Sequence, residues 1–360
     1  MAISIGNVTL HMGPKSLGAP DDLEAAIVKF IDDAQKTLDV AVQELEQATI
    51  ADALIRARNR GVKVRVVLEG DYLLNDKPST KPYQATGKKE PNRELFLALL
   101  RANIDTRTDY NPNIFHQKFI VRDRDGGKRG LLTGSTNFTP TGVGKSMGGH
   151  GNNLNHLVEI KSARVLKQYA LEFDEIWDGT FGAVRNRHET KPGEYTVSKV
   201  RVKPLFAPDH SPEMEIMKQM LKAKKRIDFA IFTFSQSSGI DDTMIALCKA
   251  GLPVRGIFDS GMARDWSGYP TVKKAGGDLY VARGAGLNKL HHKLMVIDGQ
   301  VIIVGSFNYT GPANLLNDEN IVIIGDLEET DTQAKANQRE LAKYALKEIN
   351  RMITKFGKKI

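Results

Sequence analysis

From residue 36 onward the hydrophobic residues fall into two alternating rhythms. In "KTLDVAVQELEQATIADALIRARNRGVKVRVVLEG" (36–70) a short apolar run leads through a polar loop into a stretch with apolar residues at Ile50, Leu54 and Ala57, then Gly61, then a second apolar run. Apolar runs of about four to eight residues read as buried strands, and recurrence at three- and four-residue steps reads as an amphipathic helix that a glycine can end. The order returns in "KRIDFAIFTFSQSSGIDDTMIALCKAGLPVRGIFDS" (225–260). Lys36, Leu38 and Asp39 align with Lys225, Ile227 and Asp228, and Gly61, Val64 and Arg65 with Gly251, Val254 and Arg255. Farther along, "FHQKFIVRD" with "LLTGSTNFT" (115–139) is matched by "LHHKLMVIDGQVIIVGSFNYT" (290–310), and helical patterns at about 163–179 and 329–356 follow.

The chain is therefore an internal repeat, which must be recognised before any fold is assigned. Strands alternating with helices predict an α/β fold with two similar α/β/α sandwich halves and mixed sheets, related by a pseudo-twofold axis. The halves are 1–190 and 191–360, divided in the polar segment "RNRHETKPGEYTVSK" (185–199). Two insertions break the symmetry, both in the first half. One is residues 71–94, with Lys77, Lys81, Lys88 and Lys89, and the other is the Gly-rich 140–153. Loops of that length are commonly binding loops or disordered segments.

What the hairpins carry at their ends is not core material. His116, Lys118, Asp123, Gly134, Ser135 and Asn137 recur as His291, Lys293, Asp298, Gly305, Ser306 and Asn308, the pattern H-x-K-x(4)-D followed by G-S-x-N. Side chains alternate along a strand, so His and Lys two apart share a face while Gln117 or His292 points away. The returning strand brings Ser and Asn alongside. Lysine supplies positive charge and Ser135, Asn137, Ser306 and Asn308 supply hydrogen bonds, a set that suits the oxygens of a phosphate. Two such sets facing each other clamp one phosphodiester in a single site between the halves. One imidazole then attacks phosphorus while the other protonates the leaving oxygen. Histidine suits both tasks because its ordinary pKa lies near neutrality. The resulting phosphohistidine is released by water or an alcohol, a route that asks for no metal and no cofactor. The sequence shows no Cys/His ligand spacing, no H-E-x-x-H and no paired acidic cluster of the two-metal type. Asp123 and Asp298, at the hairpin turns, read as structural.

Composition narrows the setting. The formal net charge is +8, which favours polyanionic partners such as nucleic acid or an anionic membrane surface. The single cysteine, Cys248, excludes an intrachain disulfide. The N-terminus lacks the pattern of a secretory signal, and no apolar stretch approaches the length of a membrane span, so the expected location is cytoplasmic.

The paired "HQKFIVRD…GSTNFT" and "HHKLMVIDG…GSFNYT" resemble the phospholipase D superfamily, over nearly the whole chain, and the second half looks most like its compact bacterial nuclease branch. The resemblance implies the same metal-independent mechanism with two histidines, with His116, Lys118, His291 and Lys293 in one active site. It also places a carboxylate on the catalytic histidine, at Glu319 in "NDENIVII", whereas aligning "NHLVEI" with "ENIVII" sets Asn155 opposite Glu319. Glu319 is thus expected beside His291 and Asn155 beside His116. A buried carboxylate favours the imidazolium, which makes His291 the general acid and His116 the nucleophile. Glu44 and Glu46, in "AVQELEQ" where the second half reads "AIFTFSQ", would repel a phosphate if they face it. The basic charge and the nuclease-like second half favour a nuclease acting on DNA or RNA. The alternative is a phospholipase D or phosphatidyl transferase, which needs an apolar approach for acyl chains.

Overall fold

The computed structural model describes residues 1–75, 77–85, 87, 89–184 and 191–360. Lys88, and the part of the expected boundary at 185–190, lie outside the described residues. In the first half, strands Thr37–Val42 and Lys63–Leu68 pair in parallel, joined by the helix Ala48–Asn59. In the second, Ile227–Ile231 and Val254–Asp259 do the same around the helix Gly239–Lys249. Parallel neighbours require such a crossover. The motif hairpins pair antiparallel, Lys118–Arg122 with Gly130–Gly134 and Lys293–Ile297 with Val301–Gly305. A further antiparallel strand follows in each half, Asn152–Ile160 and Glu319–Ile324. Among the described residues, two mixed nine-stranded sheets result.

The period of two along the central strands sets the layering. Phe119 and Val121 join a central core, whereas Ile120 between them joins an outer one with Leu38 and Leu54. In the second half Leu294 and Val296 face the centre, and Met295 faces the outer layer with Ile240 and Met244. The central core also holds Tyr169 and Phe173 of the helix Ala163–Trp177 and Leu341 and Ile349 of the helix Thr332–Phe356. These two helices therefore lie between the sheets, and the other long helices cover the outer faces. Strands buried on both sides explain the near-continuous apolar runs in the sequence.

The halves are also interlaced at their mouths. The short strand Leu287–Leu290 of the second half adds in parallel to Asn152–Ile160 of the first. On the opposite side Phe115 bridges to Asp318. Among the described residues, no helix is long and apolar enough to cross a membrane.

Candidate active site

Each motif histidine stands at the lip of its hairpin, tied to the other half by its own backbone. His116 N–H donates to the Asp318 carbonyl at 2.9 Å, and His291 N–H donates to the Leu154 carbonyl at 2.9 Å. The residue before each histidine is held from its own half. Phe115 N–H donates to Glu69 Oε2 at 2.7 Å and Leu290 N–H to Asp259 Oδ2 at 2.8 Å. The two imidazoles face each other with ring centroids 6.5 Å apart, inclined at 74°. They are only 6% and 7% exposed, so a phosphate reaching both must leave most of its water behind.

The backbone ties reverse one expectation. Glu319 does not lie on His291; its Oε2 is 2.7 Å from His116 Nδ1 in the opposite half. Asn155 belongs to His291, with its Oδ1 3.0 Å from His291 Nδ1. Pairing crosses the interface because residues 318–319 run beside 115–116, and residues 154–155 beside 290–291. The tautomer of His291 follows. Asn155 Nδ2 is committed to the Gly142 carbonyl at 3.0 Å, so Oδ1 faces the ring. The Ser135 carbonyl also lies 3.1 Å from Nδ1. With two acceptors around it, Nδ1 carries the proton and Nε2 faces the cleft.

A second correction concerns the serines expected on the phosphate. Ser135 and Ser306 are wholly buried. Ser135 Oγ donates to Asn155 Oδ1 at 2.8 Å and Ser306 Oγ to Glu319 Oε2 at 2.5 Å, so both position the histidines' partners. Gly134 and Gly305 have no room for a side chain, since a Cβ would stand 2.2 Å from the carbonyl oxygens of His156 and Asn320. Asp123 and Asp298 are turned away from the site, and their carboxylates gather backbone N–H groups. Asp123 takes those of Gln35, Lys36 and Thr37, and Asp298 those of Lys224, Lys225 and Arg226.

The remaining donors differ between halves. Lys118 Nζ donates to the His116 carbonyl at 2.8 Å and to Gln43 Oε1 at 3.2 Å. Lys293 Nζ has the His291 carbonyl at 3.1 Å, and where Gln43 would stand it meets the Phe232 ring, 5.1 Å to the centroid. Asn137 Nδ2 points to Gln43 and to the Glu44 carboxylate. Asn308 instead accepts from Thr233 N–H through Oδ1 at 3.3 Å, which turns its amide NH2 the other way. Of the two glutamates, Glu44 lies at the site, also bonded by the Tyr72 hydroxyl, while Glu46 is engaged by Asn92 Nδ2 at 2.7 Å.

Crowding of positive charge in a dry site sets the electrostatics. Burial lowers the Lys118 pKa to about 7 against the pull of Glu319, Glu44 and Glu69. Lys293 is pushed well below its ordinary value by burial and then by Lys118. Both imidazoles are held down by burial and by the two ammonium groups. Burial raises Glu319 to about 8, with Lys118 and Ser306 opposing. The opposite shifts of Glu319 and His116 describe one unit: neither group takes a lone charge, and their contact passes a proton without creating one. An incoming anion reverses the penalty on every cation, so the arrangement can bind a phosphate and move protons to and from it.

Several contributors were missed from the sequence. Glu69 and Asp259 end the aligned strands "VVLEG" and "GIFDS", and that repeated acid was the available signal. His156 is buried behind the site, its Nδ1 3.1 Å from His292 Nδ1 and its Nε2 accepting from Gly305 N–H at 3.2 Å. The matching place in the other half holds Asn320, which donates to Gln117 Oε1 at 2.7 Å. These pairs sew the halves together and do not reach the cleft.

A family model described as the PLD-like domain of cardiolipin synthase matches residues 27–177 and 216–345. Among curated proteins, the mitochondrial cardiolipin hydrolase of Xenopus tropicalis is 34% identical over 108 residues, 30% of this chain and 50% of that protein. A phospholipase D of Rickettsia felis is 30% identical over 143 residues, 37% of this chain and 68% of that protein. The chain spans about half the length of the cardiolipin hydrolases it matches. Among solved structures, a phosphatidylserine synthase of Haemophilus influenzae superposes with a TM-score of 0.69 at 15% identity, covering 100% of this chain and 88% of that one, a likeness of fold.

Proposed function

The chain belongs to the family of the PLD-like domain of cardiolipin synthase, and from that premise we propose that it cleaves or exchanges the phosphodiester of phospholipids through a phosphohistidine. The observation that carries the chemistry is the pair of imidazoles facing across the interface, each with Nδ1 engaged from behind. His116 Nε2 attacks phosphorus, and the bond to the leaving oxygen breaks as His291 Nε2–H gives that oxygen its proton. His291 then takes a proton from water or an alcohol, whose oxygen bonds phosphorus as the P–N bond breaks and the electron pair returns to His116. Lys118, Lys293 and Asn308 hold the non-bridging oxygens.

His116 remains the nucleophile in this scheme, on a different ground from the one the sequence suggested. A phosphorylated imidazole with Nδ1–H carries positive charge, and Glu319 at 2.7 Å from Nδ1 neutralises it. The acid needs a pKa near the working pH; the arriving anion lifts His291 from the low value that burial and the lysines impose, and the amide partner adds no further charge.

Phospholipid is preferred over nucleic acid because relatives are named cardiolipin hydrolase and phospholipase D. The charge of +8 that favoured nucleic acid suits an anionic bilayer equally. The test offers the full chain, in EDTA, vesicles of phosphatidylglycerol or cardiolipin beside plasmid, single-stranded DNA and RNA. Release of headgroup from vesicles, lost in both His116→Ala and His291→Ala, is the expected result. Cleavage of nucleic acid with intact lipid would return the protein to the nuclease reading.

A further inference from the structure

The repeat supplies an internal comparison at the place where the acceptor must approach. In-line displacement puts the leaving group, and later the acceptor, on the side of phosphorus opposite His116, which is the side of His291. There the wall is Phe232, half-buried, its ring centroid 4.9 Å from that of His291. The equivalent residue by His116 is Gln43, whose Oε1 takes hydrogen bonds from Lys118 and Asn137. A polar cradle thus stands on the attacking side and an aromatic face on the acceptor side. Lys289 and Lys293 sit 5.4 and 5.1 Å from the same ring, so Phe232 is flanked by two cations.

We propose that Phe232 makes this site select an organic alcohol over water as the acceptor of the phosphoryl group, so that transfer competes with hydrolysis. The inference rests on the phosphohistidine step of the preceding reading, and not on the identity of the native lipid. Water and alcohol enter the same chemistry at that point. Each surrenders its O–H proton to His291 Nε2 while its oxygen bonds phosphorus and the bond to His116 breaks. A water against Phe232 finds no hydrogen-bond partner on the ring side and forfeits part of its hydration. The alkyl part of an alcohol covers the ring instead, a gain of about fourfold for each methylene buried. Gln at this position would seat a water as Gln43 seats polar groups in the first half.

The experiment uses the full chain with bis(p-nitrophenyl) phosphate and measures, by phosphorus NMR, the ratio of alkyl diester to monoester formed in aqueous n-butanol or glycerol. Both products leave the same intermediate, so a change in the rate of its formation does not enter the ratio. Wild type is expected to favour butanol over water per mole. Phe232→Gln should lower the ratio about tenfold, whereas Phe232→Leu should hold it within about twofold. Phe232→Tyr, which places a hydroxyl on the same ring, gives an intermediate drop and decides the matter if the Gln variant does not fold. An unchanged ratio in Phe232→Gln, or in Phe232→Tyr where it stands in, with diester still consumed, overturns the role of Phe232. A wild type that consumes no diester overturns the phosphohistidine reading and this inference with it. A wild type that consumes the diester and leaves vesicles intact overturns only the choice of lipid.

Discussion

Glu319 and Asn155 hold matching positions in the repeat and differ by one functional group, so exchanging them isolates what the charge does. Glu319→Gln keeps a hydrogen-bond acceptor near His116 Nδ1 but leaves the phosphorylated imidazole of the proposed mechanism without its counter-charge. Turnover of a soluble diester should fall about 10²-fold or more, with little change in fold. Stopped-flow or quench measurement should locate the loss in formation of the phosphoenzyme, and an unaltered rate would remove Glu319 from the mechanism. Asn155→Asp adds a carboxylate beside His291, which raises the pKa of the proposed acid, a group that works only when protonated. The alkaline limb of the pH–rate profile should therefore move up by about one unit, and a downward shift would reassign the acid. At this scale the residues were legible and their neighbours were not. The repeat exposed His116, Lys118, His291 and Lys293 by their spacing. A strand's own side chains say nothing of which strand will cross from the other half, so Glu319 was placed on the wrong ring.

Within an element the question becomes what holds a hairpin in register when its ends carry the groups proposed for catalysis. Asp123 and Asp298 both adopt a left-handed backbone, φ 54°, at the hairpin turn. Asp298 also accepts N–H groups of Lys224, Lys225 and Arg226 at 2.8, 2.8 and 2.9 Å, closing the strand before the hairpin onto its turn. Asp298→Ala orphans those donors and puts a residue poorly suited to positive φ at the turn, a loss of about 2–4 kcal/mol in chemical denaturation. Asp298→Asn keeps one acceptor oxygen and tolerates the conformation, so it should lose less. Both variants should keep wild-type kcat well below their melting temperature; a large loss of kcat in a folded Asp298→Asn would show that the motif aspartate reaches the chemistry. Its place at a turn five residues beyond the lysine suggested a structural role for Asp298, and its carboxylate holds three backbone N–H groups. The strand Leu287–Leu290 was not read, because "LNKL" is short, half polar, and finds its partner in the first-half strand Asn152–Ile160. Local pattern carries no record of such a distant pairing.

At the scale of the whole molecule, folding forces two lysines, two histidines and a glutamate into one dry space, and neither half alone creates that crowding. Lys118, at about 7 rather than its ordinary 10.5, is disfavoured in the folded state wherever the unfolded chain holds the extra proton. Its contribution to stability therefore rises with pH between about 7 and 10.5. Glu319, raised to about 8 from 4.5, contributes the opposite trend, with stability falling as pH rises from 4.5 toward 8. An anion in the cleft restores the protons that burial removed, because each cation again has a partner. Binding of vanadate at pH 8 should thus take up about one proton per anion, read by titration calorimetry in buffers of different ionisation enthalpy. Affinity should tighten as pH falls from 8 toward 6.5, since less proton uptake remains to be driven. Lys118→Met should raise the unfolding temperature of the unliganded protein at pH 7 while weakening vanadate and reducing the uptake, a trade between stability and function expected of a site built from buried like charges. Proton release on binding, or an uptake untouched by Lys118→Met, would mean that the two halves do not share the charge of one phosphate.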